Sequence, residues 1–112
     1  MTEAKTRRAP EARADEPARL ILLDAADNVL IAVRAVAPGD LLVIDGAALA
    51  APENVPAGHK LARTDLRAGE KVLKYGAPIG AATRAVARGA HVHTHNLRSD
   101  YIATHSREED AT

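Results

Sequence analysis

Apolar residues along the chain come in short clusters separated by glycine, proline or charge, and no long amphipathic helical period is sustained between Leu41 and Asn96. Leu20-Ile21-Leu22-Leu23 suits a buried strand, as does Leu41-Leu42-Val43-Ile44. The second cluster runs into Asp45-Gly46, a dipeptide that favours the tight type I′ turn of a hairpin. Residues 28–35 are ambiguous. Asp27 could cap a short helix there by accepting the free amides of a first turn, whereas Val29, Ile31 and Val33 favour a strand.

A weak internal repeat says more. Four times an apolar residue stands three positions before a glycine and another three positions after it: Val36/Gly39/Leu42, Val55/Gly58/Leu61, Leu66/Gly69/Val72 and Val86/Gly89/Val92. Glycine tolerates positive φ, so each instance reads as a tight turn that delivers a new strand. The spacings are uneven, which excludes a solenoid array. The pattern predicts an all-β domain of short strands and tight turns, with room for one or two short helices.

Composition limits this picture. A chain of 112 residues holds one domain, and without Phe or Trp its core must come from Val, Leu, Ile and Ala. So short a domain buries only about 60–65% of its unfolded surface, so marginal stability or reliance on a partner is expected. Residues 1–17 lack an apolar stripe and are expected to form a tail, residues 18–105 the folded domain, and residues 106–112 a second, charged tail. Fifteen basic residues balance fifteen acidic ones, with no basic patch or stacking aromatics for nucleic acid. No apolar run reaches transmembrane or signal-peptide length, and cysteine is absent, so a cytoplasmic setting is expected.

The strongest candidate for chemistry is His91-Val92-His93-Thr94-His95-Asn96. On a strand the three imidazoles would share one face. A neighbouring His-x-His pair could converge on a metal such as zinc or iron, or grip a carboxylate or sulfonate. A straight strand would hold His91 and His95 about 13 Å apart, too far to share one ion. The plain alternative is an exposed polar strand face. Gly58-His59-Lys60 is a second candidate, since a turn glycine delivers a His and a Lys to a strand start. The third, Lys74-Tyr75-Gly76-Ala77-Pro78-Ile79-Gly80, reads as a loop between two strands that could turn amides toward an anion. No nucleophile elbow, zincin helix or carboxylate pair is present.

Together, Asp27-Asn28-Val29, Gly58-His59-Lys60-Leu61-Ala62, Val72-Leu73-Lys74-Tyr75-Gly76-x-Pro78-Ile79-Gly80-x-Ala82 and Gly89-x-x-Val92-His93-x-His95-Asn96 resemble the altronate/galactarate dehydratase family. The likeness is to its small SAF (β-clip) domain and covers about Leu20 to Leu97. In some members this domain is fused ahead of a catalytic domain. In others, such as (2R)-sulfolactate sulfo-lyase, it is a separate small subunit. The resemblance implies an all-β SAF fold and a lyase that performs β-elimination on a sugar acid or sulfolactate-type substrate. Because the chain stops where larger relatives continue, the resemblance implies a separate large catalytic subunit as partner. It also implies a divalent metal, iron(II) foremost, that the two subunits could share. Carried over residue by residue, it puts His59, Lys60, His93 and His95 in catalytic positions and Lys74, Tyr75, Gly76 and Asn96 at the substrate. His93 and His95 become the metal-ligand candidates, and His91, where the family varies, becomes a bystander. A stand-alone SAF module that binds small molecules or metal without catalysis is the alternative, and a small metal-binding protein is a third reading.

Overall fold

The computed structural model describes residues 16–99, so most of the two expected tails and the end of the expected domain, His105 included, lie outside the described residues. Nine short strands follow one another among the described residues: β1 (Leu20–Ile21), β2 (Val29–Ala32), β3 (Leu41–Ile44), β4 (Ala47–Ala50), β5 (Lys60–Ala62), β6 (Lys71–Lys74), β7 (Ala77–Ala82), β8 (His91–Val92) and β9 (Leu97–Ser99). All pair antiparallel, in a central sheet of order β1-β2-β5-β8, a hairpin β3-β4, and a three-stranded sheet β6-β7-β9. The all-β expectation holds, and no described residue is helical. The helix weighed over 28–35 is therefore replaced by strand β2, which pairs with β1 on one side and β5 on the other. The expected strand over 20–23 stops after Ile21. It is an edge strand, and Ile21 and Leu22 are 45% and 41% exposed.

The glycine repeat proves to be a structural duplication. Gly39, Gly58, Gly69 and Gly89 all have φ between 82° and 88°, and Val36 bridges Val55 as Leu66 bridges Val86. The hydrogen bonds recur pair by pair. Gly39 N donates to Ala51 O (2.8 Å) as Gly69 N does to Ala82 O (2.7 Å); Gly58 N donates to Ala32 O (2.7 Å) as Gly89 N does to Ala62 O (2.8 Å). Even the acid is repeated: Asp40 Oδ2 accepts Ala37 N at 2.9 Å, and Glu70 Oε1 accepts Arg67 N at 2.8 Å. The glycine spacings alternate because turns of two kinds alternate along the chain, and the offset between matching glycines grows by one residue, from Gly39/Gly69 to Gly58/Gly89, because β7 carries one extra residue. The register shifts between Val72 and Leu73, where Gly80 faces Val72 but Pro78 faces Leu73.

Each unit closes on a tight hairpin turn, Asp45 (φ 52°)-Gly46 (φ 82°) in the first and Tyr75 (φ 59°)-Gly76 (φ 75°) in the second. The expected loop over 74–80 is thus only Tyr75-Gly76, and Pro78 to Gly80 continue as strand β7. The central sheet lies between the two units. Cross-strand partners Leu30 and Leu61 pack on one face with Val36, Leu42, Ile44 and Val55. Their alternating neighbours Val29 and Ala62 pack on the other with Leu66, Val72, Val86 and Val92. Both cores are aliphatic throughout, as the lack of Phe and Trp requires.

Candidate functional site

His59 enters strand β5 directly after the Gly58 turn, and β8 lies beside β5 with His91 opposite Leu61 and Val92 opposite Lys60. Strand alternation then puts His59 and His91 on the same face. Their rings meet, with His59 Nδ1 2.8 Å from His91 Nε2, so that one proton is shared between them. His93 stacks on His59 with ring centroids 4.2 Å apart. One ring nitrogen from each of His59, His91 and His93 falls within 4.8 Å of the others.

The strand expected over 91–96 ends after Val92, and the next four residues form a turn. Asn96 shapes it. Its side-chain oxygen accepts His93 N at 2.9 Å, its amide donates to His91 O at 2.8 Å, and its own backbone N donates to His93 O at 3.0 Å. Asn96 is 5% exposed. The turn folds His95 back on His91, with ring centroids 5.1 Å apart, where a straight strand would have separated them. His91, set aside on sequence grounds, therefore stands inside the cluster, whereas His95 packs beside it without joining the converging trio.

The electrostatics favour the neutral form of His91 and His93. Partial burial pushes the His91 pKa down, and the neighbouring His95, His59 and His93 push the same way against a smaller opposing pull from Glu53. His93 is lowered by desolvation first, then by His59, Lys60 and His95. A neutral imidazole offers the lone pair that a metal ion requires. The pKa of the half-buried Lys60 is lowered by desolvation and then by the charge of Lys74.

The second hairpin tip is held from a distance. Asp27, 2% exposed, accepts Tyr75 N at 2.9 Å and Gly76 N at 2.7 Å through its two carboxylate oxygens. Asn28 accepts Leu73 N at 2.8 Å and donates to Lys71 O at 2.9 Å. The notion that Asp27 accepts free turn amides was sound in chemistry, but the amides are those of a hairpin 48 residues away. The ring of Tyr75 itself is 70% exposed. Sequence reasoning also missed Arg63, which clamps the first tip by a forked bond to Asp45 (2.9–3.2 Å) and donates to Ala25 O and Asp27 O. Nothing local marks either clamp, because each links segments distant in sequence.

Over residues 18–100 the chain matches the family described as the altronate/galactarate dehydratase SAF domain. It is 41% identical over 80 residues to altronate dehydratase of Escherichia coli K12, a stretch covering 71% of this chain and 16% of that protein. Altronate dehydratase of Bacillus subtilis is 34% identical over 74 residues, 66% of this chain and 15% of that protein. The (2R)-sulfolactate sulfo-lyase subunit alpha of Paracoccus pantotrophus is 43% identical over 51 residues, 46% of this chain and 76% of that subunit. The chain thus spans only about a sixth of the length of the two dehydratases.

Proposed function

Since the chain belongs to the altronate/galactarate dehydratase SAF-domain family, we propose that it acts as the small component of a hydroxy-acid lyase, either hydro-lyase or sulfo-lyase, in the cytoplasm. A large catalytic subunit would complete the site. One observation carries this reading: the imidazoles of His59, His91 and His93 converge, one ring nitrogen of each lying within 4.8 Å of the others.

The reaction is β-elimination. The proton on the carbon beside the carboxylate goes to a base, hydroxide or sulfite leaves the next carbon, and the resulting enol tautomerises to a 2-oxo acid. The donor set fits a divalent metal, iron(II) being the family's implied ion, because three imidazole nitrogens lie within reach of one centre and no thiolate competes. His59, His91 and His93 would hold it, and the bound ion would supply Lewis-acid stabilisation of the developing enolate charge. Lys60 and Lys74 hold the carboxylate or sulfonate of the substrate as point charges. His95, packed on His91, orients that ring and offers a donor toward the leaving group. Asn96 fixes the spacing of His91 and His93 through the backbone.

Mixing the full chain with the large catalytic subunit should create activity on three- to six-carbon hydroxy acids that neither has alone. Full-rate turnover by the isolated chain would defeat the two-component reading. Zinc or cobalt titration of the full chain tests the ligand set. Alanine at His59, His91 or His93 should weaken binding at least about a hundredfold, and alanine at His95 at most about tenfold. A second reading draws on the fact that the trio is assembled within this one chain. If metal binds tightly but no partner confers turnover, the protein is a stand-alone SAF-type binding module.

A further inference from the structure

We propose that Asp27 is a positioning residue that holds the Lys74–Tyr75–Gly76 tip as a rigid lip of the hydroxy-acid site, an inference that rests on the function proposed above. Tyr75 occupies the left-handed region (φ 59°), where a bulky residue is rare, and the first hairpin places an ordinary Asp-Gly at the same point. Such a conformation persists only where the surroundings over-determine it. Here they do. Both tip amides end on a buried carboxylate, and Asn28 bonds the strand that leads to the tip. A side chain at position 76 would meet the Asp24 carboxyl at 3.2 Å, so the turn is backed by a second acid.

Core packing does not explain the tyrosine, because its side chain is 70% exposed. The strain therefore serves presentation. The tip sets Tyr75 next in sequence to Lys74, which the function proposed above assigns to the carboxylate or sulfonate of the substrate. A phenol and an ammonium held together suit the hydroxyl and carboxylate groups of a polyhydroxy acid.

The test uses the full chain labelled for NMR, with sodium tartrate as the probe. In the wild type, tartrate should shift Lys74, Tyr75 and Gly76 together with His93. Asp27→Asn keeps one acceptor and loses the other, so exchange of the Tyr75 and Gly76 amides should quicken at least about tenfold while the core amides of Ala62 and Val72 stay protected. Tartrate affinity should fall roughly five- to tenfold, with zinc affinity unchanged. Tyr75→Gly relieves the strain, leaves both amides on Asp27, and should lower tartrate affinity by a similar factor without loosening Gly76. This variant decides alone if Asp27→Asn fails to keep its core. Tartrate shifts at His93 but not at the tip, or unchanged affinity in the variants despite a loosened turn, would reduce Asp27 to a structural clamp. No tartrate shift at any residue would overturn this inference, whereas the function proposed above falls on the separate mixing experiment, if the large subunit confers no activity.

Discussion

The two units of the fold share a backbone and differ in what they display. Position for position, Leu42 corresponds to Val72, Ile44 to Lys74 and Asp45 to Tyr75. In the first unit the residue before the turn is a fully buried isoleucine; in the second it is a partly exposed lysine. The clamps have opposite polarity as well. A guanidinium grips the Asp45 side chain in the first turn, and a carboxylate grips the backbone amides of the second. A side-chain clamp works only while the turn carries an acid. A backbone clamp leaves the turn side chain unconstrained, which is how a tyrosine can stand there. The duplication thus keeps the backbone of the two hairpins in common and lets their tips differ.

The sharpest break in the comparison is at Gly80. Its counterpart Leu49 lies in a two-stranded hairpin, but β7 carries the third strand β9, and a Cβ on Gly80 would collide with the backbone oxygen of Arg98. Gly80→Ala must push β9 off and should cost about 4 kcal/mol by denaturant titration. A loss below about 1 kcal/mol would mean that β9 contributes little to stability. Next come the matched core leucine and valine. Leu42→Ala should cost about 3 kcal/mol and Val72→Ala about 2 kcal/mol, because the second removes one carbon fewer from an equally buried position. Equal losses would show that the second unit repacks less well around its cavity.

These residues also mark what was legible in the chain. The glycine spacing announced four turns, and Asp45-Gly46 announced a hairpin, because a turn is encoded by adjacent residues. The matching turn at Tyr75-Gly76 was blurred, since tyrosine is a poor left-handed residue and its support comes from Asp27 far upstream. The histidine segment was conspicuous, but its geometry was not. Strand periodicity gave the right face for His91 and failed beyond Val92, where the Asn96 side chain bends the chain. His59 could be selected by family resemblance, yet its bond to His91 depends on the pairing of β5 with β8. Local chemistry shows in sequence order, whereas a site built across strands depends on register.

A smaller contrast separates two repeated glycines. Gly58 and Gly89 share the same φ region, but a Cβ on Gly58 would meet nothing within 4 Å, whereas on Gly89 it would meet Leu42 Cδ1 at 3.0 Å and Leu49 Cδ1 at 3.3 Å. Gly58→Ala should therefore cost only the backbone strain, about 1–2 kcal/mol, and Gly89→Ala about 1 kcal/mol more as the leucines shift. Thermal unfolding of the pair measures the difference. Identical midpoints would show that the first core yields freely where the second unit leans on it.

The smallest effect probes the first clamp alone. The forked Arg63 bond holds the Asp45 carboxyl below its usual 3.8, with desolvation opposing and the charges of Arg63 and Arg88 assisting. A carboxyl whose pKa is depressed by folding stabilises the native state above its unfolded value and loses that contribution as pH falls through the folded value. The clamp's contribution should therefore be complete at neutral pH and vanish only below 3.8. Because the pair is on the surface, the effect is small and screened by salt. In melts across pH, Asp45→Asn should unfold slightly below the wild type at neutral pH, and the two midpoints should draw together under acid as the wild-type carboxyl takes up its proton. High salt should narrow the gap at neutral pH as well. A gap that persists unchanged into acid would show that the first turn is held by shape, with the charge of Asp45 incidental, and the contrast between the two clamps would then rest on the second alone.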